Sequence, residues 1–207
     1  MIYLSDDYVE KYIETLSYLL ERSISEDYSF DVIEKSIAYS TMINELEKSN
    51  ITLIAFSSVE KNYKDIFPYK DNEFFISNIY GKYGWIAECY IRLFLKFQIT
   101  FEVLFILFPI KEMIDLYPLY HEMSFSHVDD LLREKITHSY LDYIMKYKNL
   151  SNNDLVIMTG IPYGTINALR YAKRDINKLE AQSLLKISQA LSIKMESLLT
   201  SINLKTK

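Results

Sequence analysis

The residues able to do chemistry in this sequence fall in a few places. His121 and His127 lie either side of Glu122, but a helical zinc pair needs two histidines four apart on one face. Here they are six apart, which puts them on nearly opposite sides of a helix. They read as exposed polar residues, and no metal is expected. The single cysteine, Cys89, sits inside an apolar helical pattern and reads as a small core residue. No phosphate-cradling glycine loop, dinucleotide fingerprint or Ser/His/Asp arrangement is visible, so neither catalysis nor a cofactor is expected. What is left is a segment in which Tyr163, Gly164, Asn167 and Arg170 are followed by Lys173 and Arg174. Asn can pair bidentately with adenine and Arg with guanine. Lys and Arg at a helix end can hold phosphates without reading sequence. This is the chemistry of DNA recognition, and it needs an element that enters a groove.

The stretch LSNNDLVIMTGIPYGTINALRYAKR, residues 150–174, supplies such an element. Ser151 and Asp154 stand in S-x-x-D spacing ahead of an apolar run, an acidic variant of the capping-box start of a helix. In that helix Leu155 and Met158 are expected to face inward. Gly160 suits the left-handed turn that ends it. Pro162 suits the opening of the next helix, where the N–H it lacks would be unpaired anyway. There Ile166 and Leu169 are expected to face inward, which leaves Tyr163, Gly164, Asn167 and Arg170 near the start or on the outer face. Helix, short glycine turn and helix make a helix-turn-helix.

On these residues, and on LLKISQALSIKMESLL with its apolar Leu184, Ile187, Ala190, Leu191, Ile193 and Leu198, residues 139–199 resemble the Cro/cI-type helix-turn-helix domain of phage repressors and related bacterial regulators. The resemblance implies a five-helix, lambda-repressor-like fold over residues 137–200. It implies that Asn152 contacts phosphate at the start of the second helix, and that Tyr163, Gly164 and Asn167 read bases. Thr165, Arg170, Lys173 and Arg174 complete the expected DNA-binding set. The sequence departs from the family pattern at four positions: Val156 for Ala, Pro162 for a Ser/Thr cap, Arg170 for Glu, and Ala172 for Gly. The last bears on where Lys173 and Arg174 are held.

Composition agrees with an all-α chain. Only four Gly and four Pro occur in 207 residues, too few for a fold needing turn chemistry every eight to twelve residues or so. One thiol makes no disulfide framework, which points to the cytoplasm. The opening MIYLSDDYVEKYIETL has no basic stretch of the signal-peptide kind. The most apolar region, residues 91–110, is interrupted by Arg92, Lys96 and Glu102, so no membrane span is expected. The net charge of −5 is unequally distributed: residues 137–207 carry ten Lys+Arg against five Asp+Glu, and residues 1–136 thirteen against twenty-three. DNA affinity depends on local neutralisation of phosphates, so the basic part is the DNA-binding part.

Ahead of that part, residues 1–136 are expected to form a helical domain for dimerisation, sensing or partner binding. Helices are predicted over residues 6–22, on the stripe Val9, Ile13, Leu16, Leu20; over 31–48; and within 52–67, ended by Pro68. After a loop over 69–83, further helices are predicted over 85–97, near 101–108 and 111–116 between Pro109 and Pro118, and over 126–136. Trp85, Tyr90, Phe94, Phe97, Phe101, Phe105 and Phe108 are read as core. Residues 201–207 are a tail. The expected function is that of a sequence-specific regulator, a repressor binding double-stranded DNA as a twofold dimer on half-sites roughly 34 Å apart. An antitoxin-like protein, binding a partner through its acidic domain and autoregulating through the helix-turn-helix, is the alternative. A nuclease is a third reading, because Arg133 and His138 have the R-x4-H spacing of all-helical HEPN ribonucleases.

Overall fold

In a computed structural model the described residues are 5–50, 57–67 and 81–199, and every regular element among them is helical. The chain divides into two compact units, residues 1–128 and 129–207. The first contains α1 (Asp6–Ser25), α2 (Phe30–Ala38), α3 (Thr41–Glu47), α4 (Val59–Ile66), α5 (Lys82–Phe97), α6 (Phe101–Leu107) and α7 (Ile110–Tyr120). The division falls inside α8 (Ser126–Lys135) rather than after it. Val128 and Leu132 of this helix, and Ile136 just after it, are buried.

Helix α1 is the axis of the first unit. It packs on α5, α4 and α2, and from Tyr12 onward it is buried almost all round. The apolar stripe alone does not predict this, because Thr15, Ser17, Arg22 and Ser23 are buried with the leucines. Most of these polar groups have local partners. The Thr15 hydroxyl donates to the Lys11 carbonyl at 2.8 Å and the Ser23 hydroxyl to that of Leu19 at 2.6 Å. The Arg22 guanidinium donates to Glu26 and to the Tyr18 hydroxyl, and lies 4.3 Å from the centre of the Tyr63 ring. Burying an arginine is tolerable only with such compensation.

The expected helix over 31–48 is instead two helices. The Ser40 hydroxyl donates to the Ile37 carbonyl, closing α2, and accepts from the Ile43 amide, opening α3. A serine that bonds the backbone on both sides competes with helix continuation. Pro118, expected to stop α7, lies within its last turn, and the helix runs on to Tyr120. Helix α5 begins at Lys82, earlier than expected, and ends with Gln98 in the left-handed conformation. The expected features at 52–56, Pro68 and most of the 69–83 loop lie outside the described residues, as does the 201–207 tail.

The expected aromatic cluster divides in two. Tyr90, Phe94, Phe101 and Phe105 pack ring on ring with centroids 5.0–6.5 Å apart, and the Tyr90 hydroxyl donates to the Phe108 carbonyl. Trp85 instead meets Tyr117 edge-on at 5.7 Å. Part of the acidic surplus is structural. A Glu47 carboxylate oxygen accepts from the Phe101 amide at the start of α6, and one of Glu34 accepts from the Ile110 amide at the start of α7. Each satisfies an N–H that its helix leaves open, and an anion there complements the helix dipole. Because Trp85 is the only tryptophan, its emission follows urea unfolding of this unit. Glu34→Ala is expected to lower its stability by about 1 kcal/mol, and Glu34→Gln, which keeps an acceptor oxygen, by clearly less.

Candidate nucleic-acid interface

The second unit continues with α9 (Tyr140–Tyr147), α10 (Asn152–Thr159) and α11 (Tyr163–Arg170), then a 3-10 turn (Ile176–Lys178), α12 (Ala181–Leu191) and a final 3-10 turn (Glu196–Leu198). The expected fifth helix is thus a single 3-10 turn as far as the described residues extend. The start of α10 is a complete capping box: the Ser151 hydroxyl accepts from the Asp154 amide and the Asp154 carboxylate accepts from the Ser151 amide. The Ser151 hydroxyl, donating to the same carboxylate at 2.7 Å, and after it the Ser151 amide hold the Asp154 carboxyl below its usual range. Gly160 ends the helix at φ 70°, where an L side chain would be strained. Pro162 is the N-cap of α11, in the place where the family pattern has Ser or Thr.

Leu155, Ile161, Ile166 and Leu169 turn inward and share burial with Leu184, Ile187 and Leu191 of α12. Met158 does not: it is 52% exposed, and Ile157 beside it 82%. The inward position four residues after Leu155 is taken by Thr159, whose hydroxyl donates to the Leu155 carbonyl and accepts from the Ile161 amide. A threonine able to bond its own helix can occupy a core position that apolar spacing assigns to a neighbour.

At the outer surface Tyr163 and Gly164 are exposed, while Thr165 and Asn167 are half-buried along α11. A methyl group at Gly164 would meet nothing within 4 Å, so this glycine leaves open space beside the backbone. Lys173 and Arg174 are exposed on the turn that follows. That turn is tightly closed: the Ala172 amide donates to the Leu169 carbonyl, and the Lys173 and Arg174 amides both donate to that of Ala168. This is the Schellman arrangement, usually made with glycine. Ala172 makes it at φ 53°, so the turn keeps its form with alanine, at a conformational cost of about 1 kcal/mol.

Two residues expected at the surface are placed differently. The Arg170 guanidinium turns back into the unit, its Nε donating to Asp142 at 2.6 Å and its Nη1 to the Asn152 side chain at 2.8 Å. Asn152 is itself buried, and its Nδ2 donates to Asn167 Oδ1 at 3.1 Å. Both are therefore bound up in a network joining α9, α10 and α11, and are not free on the outer face. Asp142 and Lys146, which ion-pair at 2.7 Å, were not singled out from the sequence. A signal for Asp142 was present, because Ser139 and Asp142 repeat the S-x-x-D spacing of Ser151 and Asp154. Ser139 does cap α9, but the Asp142 carboxylate goes to Arg170, and the Ser139 hydroxyl donates to the Arg170 carbonyl at 2.7 Å. Burial alone would push the Asp142 carboxyl up; the bonds from Lys146 and Arg170 outweigh it and hold the carboxyl below its usual range.

Residues 140–203 match the family model of the Cro/C1-type HTH DNA-binding domain. The C-terminal part of the chain carries that domain. No curated protein and no solved structure matches the chain. Among the described residues there is no group of three or more metal-ligating side chains, and no helix is long and apolar enough to cross a membrane. Arg133 and His138 are both exposed, and the His138 ring packs edge-on against Tyr171 of the Cro/C1-type domain at 5.1 Å.

The Asp142 network gives a pH dependence with a definite sign. A carboxyl held lower in the folded than in the unfolded chain contributes stability that is complete above its ordinary value, 3.8. That stability is lost as pH falls through 3.8 towards the folded-state value. Asp142→Asn leaves Arg170 without its counter-ion and is expected to cost about 3 kcal/mol at pH 7. The cost should shrink as pH falls below 3.8, as read from urea unfolding followed by circular dichroism. Ala172→Gly should raise stability at neutral pH by about 1 kcal/mol.

Proposed function

We propose that the chain is a sequence-selective transcriptional regulator, a repressor, that inserts the N-terminal turn of α11 into the major groove. The observation that carries this reading is the arrangement at α11. Its apolar face and Arg170 are held inside the unit, while Tyr163, Gly164, Thr165 and Asn167 lie along the side left accessible. In a helix-turn-helix, N-terminal residues of the second helix meet base edges. Asn167 contacts a base edge, Tyr163 a phosphate or thymine methyl, and the open space at Gly164 admits the sugar-phosphate backbone or a base. Lys173 and Arg174, presented by the closed turn, take phosphates. Asn152 and Arg170 act as positioning residues: Asn152 fixes the Asn167 amide, and Arg170 fixes the helix end.

Such proteins bind twofold operators as dimers, and we assign this chain a homodimer acting in the cytoplasm, with no enzymatic role. The acidic balance of residues 1–136 supports a second reading, in which that part binds a basic protein partner and the domain autoregulates. Co-purification of a basic partner released by salt would favour it.

The test is binding of purified protein to DNA flanking its own gene and to scrambled DNA, at two salt concentrations. Lys173→Ala should weaken binding to both and reduce the salt slope by about 1. Asn167→Ala should cost about 1–3 kcal/mol on the selected DNA and little on the scrambled one. Gly164→Ala separates fold from function. It should stabilise the helix by up to about 1 kcal/mol while weakening DNA binding. Equal, weak binding of both DNAs by all variants would exclude the reading.

A further inference from the structure

The first unit contains a cavity of about 490 Å³ between the N-terminal half of α1 and the start of α5, bounded also by the end of α7 and by Phe125. Its size is that of small-molecule sites, commonly about 300–1,000 Å³. One part of its wall is aromatic. Trp85 meets Tyr117 edge-on at 5.7 Å, and Tyr117 stacks on His121 with centroids 4.5 Å apart, so the three rings form a continuous surface. Val9 and Ile13 of α1 supply aliphatic lining. Among the described residues the charged lining is mostly anionic: Asp6, Glu10 and Glu14 from α1 and Glu88 from α5, with Arg92 of α5 the one arginine.

A row of carboxylates on a helix is ordinarily a solvated rim. Here the carboxylates share a concave space with rings whose faces carry negative potential, and both features favour the same kind of guest. The cavity wall already shows how a cation is held. The Arg92 guanidinium lies 4.5 Å from the centre of the Phe125 ring and pairs with Glu88 at 2.6 Å. One cation is thus seated between a ring and a carboxylate at one end. Asp6, Glu10 and Glu14, with Trp85 and Tyr117, provide the same two components again within the same space.

We propose that this cavity binds a small organic cation: a quaternary or protonated amine on a compact apolar body. The charged head lies among Asp6, Glu10 and Glu14, and the apolar body rests on Trp85 and Tyr117. An anionic guest is disfavoured by four carboxylates against one arginine. A neutral apolar guest would desolvate the Asp6, Glu10 and Glu14 carboxylates without supplying a counter-charge, at a cost.

The experiment uses the full chain and the emission of Trp85, the only tryptophan present. Benzyltrimethylammonium, agmatine and spermidine are titrated separately. The controls are 3,3-dimethylbutanol, a neutral body of similar shape, and sodium chloride at matched ionic strength. The expected result is saturable quenching or a shift of Trp85 emission by at least one cation below about 10 mM, with neither control effective. The double variant Glu10→Gln/Glu14→Gln, with an unchanged urea midpoint, should weaken that binding by about tenfold or more. The proposal is overturned if no cation gives a saturable response in that range, if the neutral control binds equally, or if the folded variant binds as well as the wild type. It is also overturned if a blocked lysine-rich peptide perturbs Trp85 while all three small cations fail, since the surface would then recognise a protein.

Discussion

Helix α11 has eight residues, and an isolated helix shorter than about 12–15 residues is marginal in water. Everything it presents to a partner therefore depends on what the rest of its unit does to hold it. Ile166 and Leu169 anchor one face by burial, and the closed turn at Ala172 fixes the exit. Arg170 and its own carbonyl are held from α9 by Asp142 and Ser139, and Asn167 is held from α10 by Asn152. These attachments lie in the middle and at the C-terminal end of the helix. Its first turn, with Tyr163 and Gly164, is left open to solvent.

The network between α9, α10 and α11 is ionic and largely buried, which makes its contribution one of placement more than of raw stability. Desolvating Asp142 and Arg170 opposes their attraction, and the balance is favourable here because both carboxylate oxygens are used, one by Arg170 and one by Lys146. Apolar side chains of the same volume would pack against many neighbours in similar ways. A guanidinium that must meet a carboxylate and an amide at once admits far fewer positions of α11.

What could be read from the sequence was whatever depends on near neighbours along the chain. The Ser151–Asp154 cap, the Gly160 turn and the inward Ile166 and Leu169 are local, and their spacing reveals them. Met158 was misplaced because spacing records which residues are apolar, not that Thr159 can bond its own helix and enter the core. Reading 31–48 as one helix failed for a related reason: Ser40 interrupts a continuous apolar stripe with hydrogen bonds that the stripe does not reveal. The inward turn of Arg170 depends on Asp142, twenty-eight residues earlier, and no periodicity reports such a pairing. The cavity against Trp85 is further still from local pattern, since α1, α5 and α7 each supply part of it.

The pairing of Asp142 with Arg170 also restricts how this domain can vary by descent. Losing Asp142 alone leaves Arg170 without its counter-ion, and losing Arg170 alone leaves Asp142 to Lys146, so the two positions are constrained together. A lineage that replaced Arg170 with an acid would need a cation at 142, and the route between the two states passes through a less stable intermediate unless both positions first become neutral. The exposed positions Tyr163 and Gly164 carry no such tie. The face that the pairing leaves open can therefore vary one substitution at a time over a scaffold whose interior changes only in concert.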